Sequence, residues 1–91
     1  MKLDREVVRR KDIQSRRVGE DVFLVDEENQ SIHKLNVVSA AVWEIMQDQV
    51  SVRTIVDTIH MAFPSEKRGK VKRDIKDLLE GLIEEDLIEL H

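Results

Sequence analysis

The chain has 91 residues, of which 41% are hydrophobic and 37% charged, and its formal net charge is −4. This length leaves no room for a second hydrophobic core, so we expect residues 1–91 to form a single domain. The absence of cysteine excludes disulfides, thiolate nucleophiles and Cys-ligated metal clusters, and the acidic balance disfavours a general nucleic-acid binder, which gains affinity by neutralising phosphates.

The first third of the chain predicts strands. Residues 13–18 and 22–25 are β-compatible runs separated by Gly19-Glu20-Asp21, which indicates a hairpin. After a polar turn at residues 26–30, Ser31–Leu35 alternates apolar and polar residues as a third strand would. Ile32 and Leu35 point to opposite faces of such a strand, so the pattern leaves open which face is buried.

The remaining two thirds predict three helices. Asn36 is a suitable N-cap for an apolar stripe that runs through residue 47, and Ser51 for a second stripe that ends before Pro64. The third and longest stripe, residues 71–83, begins after Ser65 or Gly69. Strands at about 12–35 followed by helices at about 37–86 predict an α+β domain of order βββααα, with a three-stranded antiparallel sheet and a winged-helix-like arrangement.

No group of side chains indicates catalysis or metal binding. The three histidines, His33, His60 and His91, lack the i, i+4 spacing of a helical metal site. The carboxylates at residues 26–28 and 84–86 are accompanied by no candidate nucleophile or oxyanion-stabilising motif. We therefore expect no enzymatic activity, no cofactor and no metal.

Several short stretches resemble the PqqD family, in the order and spacing that the family shows. They are Leu35-Asn36, Ala40-Ala41-Val42-Trp43-Glu44, the Ser-Val start of the second helix at residue 51, Val71-Lys72-Arg73-Asp74-Ile75, and Asp86-Leu87-Ile88. The family is named for the peptide chaperone of pyrroloquinoline quinone biosynthesis and belongs to the recognition elements of ribosomally made, modified peptides. Two turns depart from its pattern: Asp48-Gln49 stands where Asp-Gly is frequent, and Asp86 where a glycine often precedes the final Leu-Ile. The resemblance therefore extends to the family and not to that pathway.

The resemblance implies a non-catalytic peptide-binding adaptor. In the family, the leader segment of a precursor peptide adds as a strand to the edge of the third strand and rests against the third helix, so that backbone hydrogen bonds give affinity and side-chain pockets give selectivity. Which face of the third helix forms the wall is left open by the sequence. The peptide-binding residues expected on this basis are Ser31, Ile32, His33, Lys34, Leu35, Lys72, Ile75, Lys76, Leu79 and Ile83.

Basic residues crowd the region from Lys67 to Lys76, ahead of the acidic residues 80–86, and this order opposes the helix dipole. A solvated polar face explains such a run as well as a functional one does. If functional, it would attract an acidic leader peptide or, in the alternative interpretation, the phosphates of DNA bound by a winged-helix transcriptional regulator.

Two single residues carry local expectations. We expect Trp43 to lie in the core, together with Phe23 and Phe63, because three aromatic residues are few for one core. Gly81 costs roughly 1 kcal/mol inside a helix relative to alanine, which indicates a close approach, most simply by a neighbouring helix.

The expected partners follow from the resemblance. They are a precursor leader peptide and a maturation enzyme, for which a radical S-adenosylmethionine enzyme is one class that the family suggests. Nucleic acid and membrane are not expected partners, and a monomer or a weak homodimer is expected because an exposed strand edge invites self-pairing. The lack of a bilayer-spanning apolar run or a signal segment predicts a cytoplasmic protein.

Overall fold

The computed structural model describes all residues, Met1–His91, and contains three helices and two three-stranded sheets. In chain order, the elements are β1 (Glu6–Arg9), β2 (Gln14–Val18), β3 (Asp21–Asp26), β4 (Ser31–Leu35), α1 (Val37–Ile45), β5 (Val50–Ser51), α2 (Val52–Ala62), α3 (Arg68–Glu84) and β6 (Ile88–Leu90).

The predicted three-stranded sheet is confirmed. It is antiparallel in the order β2-β3-β4, with Val18 opposite Asp21 and Leu24 opposite His33. The expected hairpin turn is present, but it has two residues, Gly19 and Glu20, because Asp21 already belongs to β3. Gly19 has a φ of 64°, which glycine adopts without a steric penalty.

The burial pattern decides which face of this sheet meets the helices. Leu24 and Leu35 are buried, whereas Ile32 is 69% exposed on the opposite face. Phe23 pairs with Lys34 on that outer face and lies outside the buried core, so its expected place in the core was wrong.

The second sheet was not predicted. Its order is β5-β1-β6, with Val7 of β1 opposite both Val50 and Leu90. Strand β1 has four residues, β5 has two and β6 has three, and they come from distant parts of the chain, so no local periodicity marks them. The side chain of Val7 is fully buried, which joins this sheet to the hydrophobic core.

The three predicted helices are confirmed, and two of them begin at the predicted caps. The Asn36 side chain accepts a hydrogen bond from the Ser39 N–H at 2.8 Å, and the Ser51 hydroxyl accepts one from the Thr54 N–H at 3.1 Å. Helix α1 ends at Ile45, two residues earlier than expected, and α3 begins at Arg68 without a side-chain cap.

The core lies between the inner face of the larger sheet and the helices. Trp43 is 1% exposed, as expected for a core residue, and the guanidinium of Arg9 lies 5.4 Å from the centre of its ring. None of the helices is both long and apolar enough to cross a membrane.

Arg10 links the ends of the two sheets. Its Nη1 donates to the carbonyl oxygen of Asp86 at 2.7 Å, and its Nη2 donates to Glu28 at 2.8 Å. Its guanidinium also lies 3.8 Å from the buried carboxylate of Asp26. A side-chain hydrogen bond to Asp12, followed by the charges of Asp12, Asp86 and Asp26, raises the pKa of Arg10, against an opposing effect of burial.

Candidate functional site

Strand β4 is an edge strand whose outer side has no strand beside it. The two-residue turn between β2 and β3 closes on a hydrogen-bonded pair, Val18 and Asp21, and such pairs alternate with non-hydrogen-bonded pairs along antiparallel strands. The odd-numbered residues of β3 therefore bond to β2, and its even-numbered residues bond to β4.

The same alternation determines which backbone groups of β4 face the open edge. The even-numbered residues of β3 stand opposite Ser31, His33 and Leu35. The backbone N–H and C=O groups of Ile32 and Lys34 consequently point away from β3, where an added strand can bond to them.

A groove of about 330 Å³ runs between this edge and helix α3. Strand β4 lines it with His33, Lys34 and Leu35, and Ser39 and Leu87 close it. The wall of α3 consists of Asp77, Leu78, Gly81, Leu82, Glu84 and Glu85.

Gly81 lies at the middle of that wall. A Cβ built on it would meet no atom within 4 Å, so the expected close packing of a neighbouring helix at this position was wrong. The open space next to Gly81 belongs to the groove, and a side chain at this position would project into it.

The groove unites part of the expected peptide-binding set. His33, Lys34 and Leu35 line it, while Ser31 and Ile32 continue the same strand edge. On α3, Ile75 and Leu79 are 1% and 0% exposed, so they belong to the core beneath the groove.

The other three expected residues, Lys72, Lys76 and Ile83, lie on a different flank of α3. At 100° per residue, Lys72 and Ile83 are roughly 180° and 160° around the helix from Gly81, and neither lines the groove. Their flank also carries Glu80, whose carboxylate is 4.0 Å from the N-terminal ammonium. The wall also carries three carboxylates that were not among the expected peptide-binding residues, namely Asp77, Glu84 and Glu85. In the sequence they look like ordinary solvated carboxylates.

The charge of the groove is mainly negative. Three carboxylates stand on the α3 wall, and Lys34, its one cationic side chain, lies 3.6 Å from the carboxylate of Asp21. The groove is therefore complementary to a peptide that carries basic residues, in contrast to the acidic leader that the sequence suggested.

A buried carboxylate supports the turn that precedes β4. Asp26 is 1% exposed, and its Oδ2 accepts a hydrogen bond from the Asn29 side chain at 2.8 Å. That bond lowers the pKa of Asp26 most, helped by the Asn29 N–H, Arg10 and His33 and opposed by burial. In the strand itself, the Ser31 hydroxyl and His33 Nε2 are hydrogen bonded at 3.1 Å, which orients the imidazole.

Some of the basic residues between Lys67 and Lys76, which in the alternative interpretation would contact DNA phosphates, form ion pairs with acidic side chains. Arg68 donates to Asp57 at 2.8 Å, and Lys70 donates to Asp74 at 2.9 Å while lying 3.8 Å from Glu66. The hydrogen bond and charge of Asp74 raise the pKa of Lys70. No group of three or more histidine, aspartate or glutamate side chains is arranged to hold a metal ion.

Comparison with known proteins identifies the family of the chain. The family model of coenzyme PQQ synthesis protein D matches residues 21–88, which include β3, β4 and all three helices. The chain belongs to the PqqD family. Its departure from the family's glycine before the final Leu-Ile falls on Asp86, which has a φ of 59°, in the left-handed region that glycine favours.

One solved structure is closely similar in fold. It is TbiB1 in complex with the TbiA(beta) leader peptide, which is 26% identical to this chain at a TM-score of 0.79, over 90% of this chain and 94% of the other. No curated protein matches the chain.

Proposed function

We propose that the protein is a non-catalytic adaptor that binds the leader segment of a ribosomally made precursor peptide and presents it to a modifying enzyme. The observation that carries the proposal is the open edge of β4 beside the groove of α3, in a fold similar to that of a protein solved with a leader peptide. Membership of the PqqD family supports the same class of function.

The backbone of β4 supplies affinity for the bound peptide that does not depend on the peptide's side chains. The N–H and C=O groups of Ile32 and Lys34 are available to a strand that lies beside β4, and each hydrogen bond formed contributes about 0.5 to 1.5 kcal/mol. Side chains of the added strand that point inward then enter the groove, where Leu35, Leu78 and Leu82 form an apolar floor.

The groove walls supply selectivity. Asp77, Glu84 and Glu85 favour a basic residue in the bound segment, because unlike charges accelerate association and like charges repel. The peptide-binding set that we propose is therefore Ser31, Ile32, His33, Lys34 and Leu35, with Asp77, Leu78, Gly81, Leu82, Glu84 and Glu85.

The test is a selection of displayed random 20-residue peptides on the full chain, followed by titration of a selected peptide into ¹⁵N-labelled protein. We expect backbone amide shifts to concentrate in residues 31–35 and 77–85. Shifts centred on α2, or tight sequence-specific binding of duplex DNA at physiological salt in a parallel titration, would contradict the proposal.

A pair of proline substitutions separates loss of binding from loss of fold. Lys34→Pro removes a donor that faces the open edge, so the selected peptide should bind more weakly while the protein stays folded. His33→Pro removes a donor that bonds to β3, so it should lower the thermal midpoint instead. Equal effects of the two substitutions on peptide affinity and on the thermal midpoint would show that the outward-facing backbone groups of β4 are assigned to the wrong residues.

A further inference from the structure

The larger sheet has a second open edge, on the outer side of β2. All five residues of β2 are exposed, so no other part of the chain covers this edge. Because Val18 and Asp21 form a hydrogen-bonded pair, the even-numbered residues of β2 bond to β3, and the backbone N–H and C=O groups of Ser15 and Arg17 point away from the sheet. A strand of another polypeptide can bond to these groups.

The side chains of β2 make this edge basic. Arg16 lies on the outer face of the sheet, opposite Phe23, and Arg17 lies on the inner face, opposite Val22. Arg16 donates a hydrogen bond to the side-chain oxygen of Gln14 at 2.9 Å, and neither arginine forms an ion pair. Since β2 contains no acidic residue, both positive charges are available to a strand that lies beside it.

The inner side of this edge is open because small residues of α1 face it. A hollow of about 280 Å³ lies between Arg17 and the side chains of Ala40 and Ala41. Glu20 and Glu44 also line it, but neither is ion-paired with Arg17. An inward side chain of an added strand therefore has room, and because of the two glutamates an inward carboxylate is stabilised beside Arg17 and not deeper in the hollow.

Charge decides which kind of strand fits beside β2. Two copies of β2 paired antiparallel over all five residues would place Arg16 opposite its own copy, and like charges directly opposite one another destabilise a strand pair. A basic peptide of the kind that the groove beside β4 favours would meet the same repulsion. Opposite charges across a strand pair are stabilising, so the edge of β2 favours an acidic extended segment.

We propose, resting on the proposed adaptor function, that the edge of β2 is a second strand-addition site, which binds an extended acidic segment of the modifying enzyme. Three consecutive residues of that segment lie beside Arg16, Arg17 and Val18. The first two are acidic, and the third is apolar and covers the side chain of Val18, which is 64% exposed. The enzyme segment and the leader peptide then prefer opposite edges of the sheet, because the two edges attract opposite charges.

The sheet sets the distance between the two bound strands. With both sites occupied, the strand order is enzyme segment, β2, β3, β4 and leader peptide. Neighbouring strands are spaced by 4.7 to 4.9 Å, so the two bound backbones lie about 19 Å apart. The two segments therefore bind at the same time without competing, and the sheet holds the peptide at a set distance from the enzyme.

The test is a selection of displayed short random peptides on the full chain, while a basic peptide selected for the edge of β4 is present at saturating concentration. We expect the recovered peptides to contain two adjacent acidic residues. In the ¹⁵N-labelled protein, they should shift the backbone amides of residues 14–18 and not those of residues 31–35.

Two variants of β2 separate the charge of the edge from its backbone. Combining Arg16→Glu with Arg17→Glu should weaken binding of the acidic peptide roughly three- to 30-fold, because two attractive cross-strand pairs become repulsive. Ser15→Pro removes a backbone donor that faces the open edge and leaves the charge unchanged, so it should also weaken the acidic peptide. Neither variant should change the affinity of the basic peptide for β4.

The matched control is Arg73→Glu, which makes the same change of charge at an exposed position of α3 outside both edges, and it should leave the affinity of both peptides unchanged. Recovered peptides without an acidic preference, or without shifts in residues 14–18, would overturn this inference alone, as would full affinity of the Ser15→Pro variant. Failure of any basic peptide to bind β4 would overturn the proposed function and this inference with it. Thermal unfolding identifies a charge-reversed variant that does not fold, and Ser15→Pro then decides.

Discussion

Replacement of Gly81 by alanine should change stability and peptide affinity in opposite directions. Gly81 lies within α3, and an added Cβ meets no atom within 4 Å, so the methyl group causes no clash in the free protein. Because glycine loses more backbone entropy than alanine on forming a helix, the free energy of unfolding should rise by about 0.5 to 1 kcal/mol. For a domain of this size, that corresponds to a rise in thermal midpoint of roughly 2 to 8 °C.

In the proposed binding mode, the same methyl group would occupy space in the groove that the bound peptide needs. Overpacking of a well-filled site costs about 1 to 3 kcal/mol, so the selected peptide should bind the Gly81→Ala variant roughly five- to 150-fold more weakly. Thermal unfolding and isothermal titration calorimetry measure the two quantities on the same samples.

Gly69→Ala is the matched control for this experiment. It lies in the first turn of the same helix, has equally open surroundings and does not line the groove, so it should keep the affinity unchanged. If Gly81→Ala lowered stability, the space described at that position would be wrong. Unchanged affinity in a stabilised Gly81→Ala variant would mean that the peptide does not approach this turn of α3.

Three further predictions concern charge and backbone conformation. Asp86→Ala and Asp86→Gly both remove the ion pair with Arg10 at 3.3 Å, but only the alanine variant keeps a Cβ at a φ of 59°. Chemical denaturation should therefore show the glycine variant to be more stable by about 1 kcal/mol, and equal stabilities of the two variants would refute a conformational cost. The pKa of Asp26 is lowered from 3.8 by the Asn29 hydrogen bond, so its carboxylate stabilises the fold fully above the unfolded-state pKa and loses this contribution as the pH falls through the folded-state pKa. In urea titrations, the stability difference between the protein and its Asp26→Asn variant should therefore shrink between pH 5 and pH 2, and a constant difference would contradict this. In stopped-flow measurements, Glu85→Lys should lower the association rate of a basic selected peptide and the salt dependence of that rate, whereas Lys76→Glu, on the other flank of α3, should have little effect. A large effect of Lys76→Glu and none of Glu85→Lys would restore the acidic-leader hypothesis.

The larger sheet and the helices could be predicted because their signals are local. Gly19 marks a turn, Asn36 and Ser51 provide hydrogen-bonding caps, and apolar residues recur at the helical period. The second sheet could not be predicted, because Val7 is paired with Val50 and Leu90, which only the completed tertiary structure brings together.

For the candidate site, the sequence predicted the strand and the helix but not the flank of the helix. Lys72 and Lys76 were expected to bind the peptide, and their charge opposes the helix dipole, yet they lie away from the groove. Asp77 and Glu85 look like ordinary surface carboxylates in the sequence, and only the tertiary structure places them in the same groove as Lys34. Gly81, by contrast, carried a sequence signal of its own, since glycine is unfavourable inside a helix.

The antiparallel pairing of β1 with β6 brings the N-terminal part of the chain next to its last residue, as shown by the bond from Arg5 Nε to the carbonyl oxygen of His91 at 2.9 Å. A short linker can therefore join the ends, and the chain can be reopened in the exposed turn at residues 27–30 while keeping every strand pair. Such a circular permutant would begin at the start of β4. A peptide fused there would be delivered to the open edge intramolecularly, at an effective concentration in the millimolar range for a short flexible tether. Even a weakly bound leader could then be held in place for structure determination.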